Sequence, residues 1–374
     1  MYKYRKNFGK NKSGFDYTTA ILAIVLSVFG VFMVASASRD ISSAYVTKQA
    51  FAVFLGICFM FIISFINYEI FLNLKICIFF MAASVIMLVL TLVIGVGEGN
   101  QSWIRFEGIA LNIQPSEFVK VLFIITFAKH LDSVKGSINK VYNVLLLLLH
   151  AGLIAGLIVL QGDLGSALVF VFIALVMCIT QGLSLWYVLA GGCTVVLAAP
   201  YLWQFLKPYQ QQRILVGFDP ASDPLGYGYQ QILSMDAIAC GGITGKGYMN
   251  SEIAPTIPFI HTDMIFASIG EELGLVGVFA LFALLSALVI RITQNAFSAR
   301  KDIGSAICAG VAAMIIGQAV ENIGMSLGVL PIIGITLPFI SYGGSSVLSL
   351  FISIGLVMSV YRYKSKYFFE REPT

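Results

Sequence analysis

Residues Pro258 to Gly277 read PFIHTDMIFASIGEELGLVG, and they set an acid, Asp263, where a polar, glycine-rich stretch gives way to a long apolar run. A carboxylate at such a boundary has two uses. It can cap the helix that follows by accepting from the first free N–H groups, or it can act as a general base that meets a substrate at the edge of an apolar phase. The two uses are compatible, and the residues alone leave both open. His261 and Thr262 stand directly before the acid. Glu271 and Glu272 follow about two helical turns deeper, rotated about 80° and about 180° from Asp263 at about 100° per residue. That rotation disfavours a close two-carboxylate pair with Asp263.

Four further groupings carry chemistry. Arg213 and Lys246 lie in a stretch, 206–262, otherwise poor in cations, which suits a phosphate-bearing lipid head group; an ordered external loop is the plainer account. Glu117 and Lys120 are three apart in an apolar run, so they share a helix face as an ion pair, structural or functional, inside a membrane or beside a wet cavity. Asp163 interrupts two apolar runs, either as the cap of the returning helix or as a group at a cavity mouth. Gln318, Glu321 and Asn322 share one face and point into a bundle, where helix-to-helix hydrogen bonding accounts for them. The six cysteines show no CxxC or metal spacing and are assigned no chemistry.

The elements that must hold these groups are membrane helices. Of 374 residues, 58% are hydrophobic and only 11% charged, which excludes a water-soluble fold with a polar surface. A bilayer crossing takes about 20 apolar residues, and the long unbroken runs here lack barrel alternation. The fold class is therefore all-α: a polytopic membrane bundle of about ten transmembrane helices. The spans fall near 15–37, 46–66, 72–95, 115–131, 142–161, 163–181, 184–205, 264–291, 304–326 and 344–361. The organisation is a basic cytoplasmic tail (1–14), one membrane domain (15–361) with a large extracellular loop (206–262) between helices 7 and 8, and a cytoplasmic tail (362–374). Both ends are read as cytoplasmic because 16 of the 23 lysines and arginines then lie on that side and six on the other. The first apolar run is read as an uncleaved helix rather than a signal peptide, since it is too long and further spans follow. Among the outward segments, Gly334 to Ser346 reads GITLPFISYGGSS, an irregular backbone tolerated only where protein or water surrounds it. No internal or inverted repeat of the transporter kind is visible.

Taken together and in order, these residues resemble the SEDS (shape, elongation, division and sporulation) family, the RodA, FtsW and SpoVE group. The resemblance covers nearly the whole chain. It runs through Gly99-Asn100-Gln101-Ser102-Trp103-Ile104, Gln114-Pro115-Ser116-Glu117 with Lys120, Asp163-Leu164-Gly165, Gln212-Arg213-Ile214, His261-Thr262-Asp263, Glu271-Glu272-Leu273-Gly274 and Leu337-Pro338-Phe339-Ile340-Ser341-Tyr342-Gly343-Gly344. Gly245-Lys246-Gly247 leans toward RodA-like elongation members. The resemblance implies a peptidoglycan glycosyltransferase that polymerises lipid II into β-1,4 glycan on the outer face of the bacterial cytoplasmic membrane. It makes Asp263 the catalytic residue, read here as the base; Arg213, Lys246, His261, Thr262, Glu117, Lys120, Ser341 and Tyr342 are taken as substrate-binding positions. Arg213, Lys246 or a divalent cation would stabilise the departing pyrophosphate, and no other cofactor is expected. The implied partners are a class B penicillin-binding protein transpeptidase and other membrane proteins of the elongation or division complexes; nucleic acid is not expected. A lipid II flippase or other lipid transporter is the competing reading, supported by Glu117, Lys120 and Glu321 within the spans. A scaffold that only activates its transpeptidase is a third reading. Four positions depart from the family pattern: Gly162 where proline is usual, Phe259 where many members have Glu, Leu233 for Gln, and Ser102 for Arg.

Overall fold

The structure, a computed structural model, describes residues 14–97, 101–106 and 111–363. Residues 1–13 and 364–374 of the expected tails, and Gly99 and Asn100 of the first motif, lie outside the described residues. Among the described residues, ten long helices coincide with the expected spans to within a few residues, because unbroken apolar runs of this length satisfy their backbone only as helices. They are α1 Tyr17–Ala37, α2 Ala44–Phe65, α3 Leu74–Ile94, α4 Pro115–Ser133, α5 Val141–Leu160, α6 Leu164–Thr180 and α7 Leu185–Trp203, with α10 Ile265–Phe297, α11 Asp302–Ser326 and α12 Gly344–Arg362 following later in the chain. Seven of them are long and apolar enough to cross a membrane, and two shorter apolar helices cover Leu164–Thr180 and Leu185–Tyr201. Helix α4 carries Glu117, Lys120, Lys129 and Asp132. The only sheet among the described residues is one short hairpin, β1 Ile104–Phe106 with β2 Leu111–Ile113.

The 206–262 stretch, expected as a large loop with a surface-lying segment, is more regular than that. It folds into two further helices, α8 Pro208–Phe218 and α9 Tyr229–Gly241, and α9 packs on α10. At the centre of the bundle α11 packs on α6, α10 and α4, and α12 on α2 and α4. Phe123, Phe127, Phe170 and Phe266 fill the core between them. At the end of the bundle away from Asp263, Asp16 caps α1 through Thr19 and binds Arg291 (2.9 Å) and Asn295 (2.6 Å), which ties α1 to α10.

Helix α10 is broken at Gly274, whose φ of 61° and ψ of −161° leave the helical region. The residues 242–247 fill the break. Lys246 N and Gly247 N donate to the carbonyls of Glu271 and Glu272 (3.0 and 2.9 Å), while Leu275 N and Val276 N donate to Gly242 O and Ile243 O (3.0 and 3.1 Å). Two amides and two carbonyls of α10 beside the kink thus find partners, as interrupted backbone in an apolar setting requires. Glycine is required there, since a Cβ at 274 would sit 2.4 Å from Gly245 N and the φ is left-handed.

Candidate active site

Helix α10 starts at Ile265 with Met264 in the capping position and no side-chain cap bond. Asp263 therefore is not the cap, and the capping use considered from the sequence does not hold. The turn before it caps itself: Thr262 N and Thr262 Oγ1 both donate to Phe259 O at 3.0 Å. Phe259 takes a φ of 57°, costly for a bulky side chain, and remains half exposed. Beneath the turn, Leu233 packs with Ile257, Ile260, Met264 and Ala267 in a small apolar cluster. That gives the Leu233 departure a packing role.

Two long-range contacts hold the acid in place. The carboxamide of Asn322 donates from Nδ2 to Asp263 O and to Ile335 O, each at 2.7 Å. Tyr342 N donates to His261 O at 2.9 Å, and the His261 ring packs on Tyr45 and Tyr342 with centroids 4.4 and 5.7 Å away. Burial holds the His261 imidazole below its ordinary pKa, so it is neutral at neutral pH. The Asp263 carboxylate itself points at Gly334, where a Cβ would lie 3.4 Å from its Oδ2.

Asp163 caps α6 by accepting from Ser166 N (3.0 Å) and Ser166 Oγ (2.8 Å), and Gln114 Nε2 donates to its second oxygen at 3.4 Å. The capping half of that reading therefore holds. Its negative charge also reaches Asp263. Burial first, then Asp163, pushes the Asp263 carboxyl up to about 6, with Arg213 pulling in the opposite sense. Gly162, with φ 84°, makes the left-handed turn between α5 and α6 that a proline at this position could not adopt.

Arg213 on α8 lines two adjoining cavities. The larger, about 120 Å³, is bounded by Arg213, Tyr227, Gln230, Gln231 and Ile332. The smaller, about 40 Å³, is bounded by Gly162, Leu164, Tyr209, Arg213, Ile332 and Ile333. The guanidinium lies over the Tyr209 ring at 5.8 Å. A cation facing a hollow next to two carboxylates is chemically suited to an anionic leaving group and a base that must not be quenched by a direct ion pair.

The other expected positions divide. Lys120 and Glu117 pair at 2.7 Å with Lys120 fully buried, and Ser349 Oγ donates to the second Glu117 oxygen at 3.2 Å. Nearby on α11, both amide atoms of Gln318 and Glu321 Oε2 are buried without a hydrogen-bond partner among the described residues. The Ser341 hydroxyl is spent on its own turn, accepting from Leu337 N at 2.8 Å. Lys246 is drawn away from the cavities to Glu252 (2.9 Å) and Glu271 (3.2 Å). Asn322 and Gln114 were not singled out as holding the acids, since only the folded chain brings 114 to 163 and 322 to 263. Among the described residues, no cluster of three or more His, Cys, Asp or Glu is arranged to hold a metal ion.

The family described as cell cycle protein, FTSW_RODA_SPOVE, matches residues 17–366 of the chain. The chain is 31% identical over 362 residues to the probable peptidoglycan glycosyltransferase FtsW of Geobacter sp. (strain M18), covering 93% of this chain and 96% of that protein. It is 36% identical over 276 residues to the peptidoglycan glycosyltransferase MrdB of Escherichia coli (strain K12), covering 72% and 73%. Among solved structures it is similar, with a TM-score of 0.81 and 32% identity over 93% of this chain and 98% of the other, to a chain described under structural coordination of polymerization and crosslinking by a peptidoglycan synthase complex.

Proposed function

The chain belongs to the FtsW, RodA and SpoVE family, and from that premise we propose that it polymerises lipid II with Asp263 as the general base. Its activity is peptidoglycan glycosyl transfer, the activity for which its relatives are named. The observation that carries the residue assignment is the half-buried Asp263 carboxylate, which is neither a helix cap nor an ion-pair partner and is raised to about 6. A base poised near the working pH is what proton abstraction from a sugar hydroxyl needs.

In the reaction, the 4-hydroxyl oxygen of one lipid II sugar bonds to the anomeric carbon of the growing chain. The bond from that carbon to the diphosphate oxygen breaks, and undecaprenyl pyrophosphate leaves with inversion to a β-1,4 link. The hydroxyl proton passes to Asp263, and Arg213 at the adjoining cavities neutralises charge on the leaving diphosphate. His261 and Thr262 position the acid through the turn and the Tyr342 contact. A divalent cation accompanying the substrate diphosphate would add charge neutralisation there beside Arg213.

This reading puts both termini in the cytoplasm and Asp263 at the outer face, supported by the basic bias of the opposite side. The partner we propose is a class B penicillin-binding protein, supported by the similar chain from a peptidoglycan synthase complex. The MrdB relative is compatible with a RodA-like member. The deciding experiment is purified protein in vesicles with labelled lipid II, scored both for polymer and for translocation. Polymer from the native chain and none from Asp263→Asn is the expected result. Translocation without polymer would favour the transporter, for which the unpartnered polar atoms of Gln318 and Glu321 are the structural support.

A further inference from the structure

We propose that Asn322 is a positioning residue for the reaction, a single carboxamide that sets the Asp263 carboxylate against the wall of the Arg213 cavities. The inference rests on Asp263 being the base. Asn322 is fully buried one turn before the end of α11, and both hydrogens of its amide are used, on the carbonyls of Asp263 and Ile335. The orientation of the amide follows from its partners, since the flipped form would aim an acceptor oxygen at two carbonyl oxygens. Its own oxygen is buried with no hydrogen-bond partner among the described residues.

The two carbonyls belong to segments far apart in the chain, and neither lies within a helix. Ile335 follows Gly334, the residue that the Asp263 carboxylate faces, and Ile332 and Ile333 of the same segment line the cavities with Arg213. The amide therefore closes a ring that runs from the Asp263 backbone through Asn322 and Ile335 to Gly334 and back to the carboxylate. Ser326 Oγ donates to Asn322 O at 2.9 Å and Ser234 Oγ donates to Ser326 O at 2.9 Å, which ties this turn of α11 to α9. The charged groups that bear on Asp263 across the ring are Asp163 and Arg213. Freeing the ring lets the carboxylate shift relative to both, and a misplacement of about 1 Å costs about 10²-fold in rate.

The test is steady-state polymerisation of lipid II by the full-length protein in vesicles, comparing Asn322→Leu, which removes both donors at similar volume, with the native chain. The expected result is a kcat lower by about 10²-fold with KM little changed. The acid limb of the kcat profile should also move to lower pH as the displaced carboxylate gains water. A raised KM with kcat kept, or a lowered kcat with the acid limb unmoved, overturns the proposal. Where Asn322→Leu fails to insert, Asn322→Gln decides. It keeps both donors on a longer arm, and the same acid-limb shift with thermal stability retained supports the proposal, while an unmoved limb overturns it. Asp263→Asn run alongside separates the two claims. If it still polymerises, the underlying assignment falls; if it is inactive beside an unimpaired Asn322→Leu, only this inference falls.

Discussion

Lys246 Nζ lies 3.2 Å from Glu271 Oε1, so the cation that composition offered to a phosphate is held by a carboxylate of α10. Glu271 also accepts from the backbone N–H groups of Glu252, Ile253 and Ala254 at 2.9, 3.0 and 2.7 Å. The pair belongs to the bracket that fills the break at Gly274, not to the cavities lined by Arg213.

Removing the two members of that bracket should have unequal effects. Lys246→Met leaves the KM for lipid II near native, because its ammonium does not face the cavities. Glu271→Ala strands three backbone amides, at about 1–3 kcal/mol for each that stays buried. Thermal unfolding in detergent should show a large loss for Glu271→Ala and a small one for Lys246→Met, and a matching loss in both would contradict the bracket.

Asp263→Asn should lose activity and gain stability in the same molecule. A general base contributes about 10²–10⁴-fold. The folded protein holds the Asp263 proton more tightly than the unfolded chain does, so ionisation costs stability as pH rises from 3.8 through about 6. At neutral pH the neutral amide removes that cost and the midpoint of thermal unfolding rises. An unfolding midpoint below that of the native chain would contradict the burial described for this carboxylate.

The pH profile of kcat follows from the same group. The base must be ionised, so activity is present above about 6 and declines as pH falls through that value. Initial polymerisation rates between pH 4.5 and 8 measure it; an acid limb at the ordinary aspartate value would mean that Asp263 is not the base.

Arg213 carries the charge at both cavities, and its planar fork suits a diphosphate better than an ammonium does. Arg213→Ala is expected to lower kcat/KM by about 10²–10³-fold, the cost of one preorganised donor. Arg213→Lys should recover only part of that, as read from initial rates across lipid II concentrations.

The Glu117–Lys120 pair is buried inside the bundle, so a lone partner is worse than none. Glu117→Leu or Lys120→Met alone should cost about 3–5 kcal/mol, and the double replacement by apolar residues less than either. Equal damage from single and double changes, with folding intact, would instead give the pair a direct part in the chemistry.

The helical segments were legible in the sequence because an apolar run in lipid has one way to satisfy its amides, and run length alone then sets each helix to within a few residues. The expectation that Glu271 and Glu272 are not close partners of Asp263 assumed one continuous helix, whereas Asp263 lies before α10; the two glutamates are taken instead by Lys246 with residues 252–254, and by Ser36, Ser251 and Ser268. What each acid does was not legible. Asp163 and Asp263 both precede apolar runs, yet Asp163 caps α6 and Asp263 leaves the cap position to Met264. One residue of offset in the turn separates the two cases, in a turn closed on Phe259 O and contacted by Leu233 and Asn322 from other parts of the chain. The sequence by itself determined a helical membrane bundle and offered the charged residues from which a site could be made. The tertiary structure decided which charges are spent on holding the fold and which one is left for chemistry, because pairing and capping depend on distances between segments that the chain brings together only when folded.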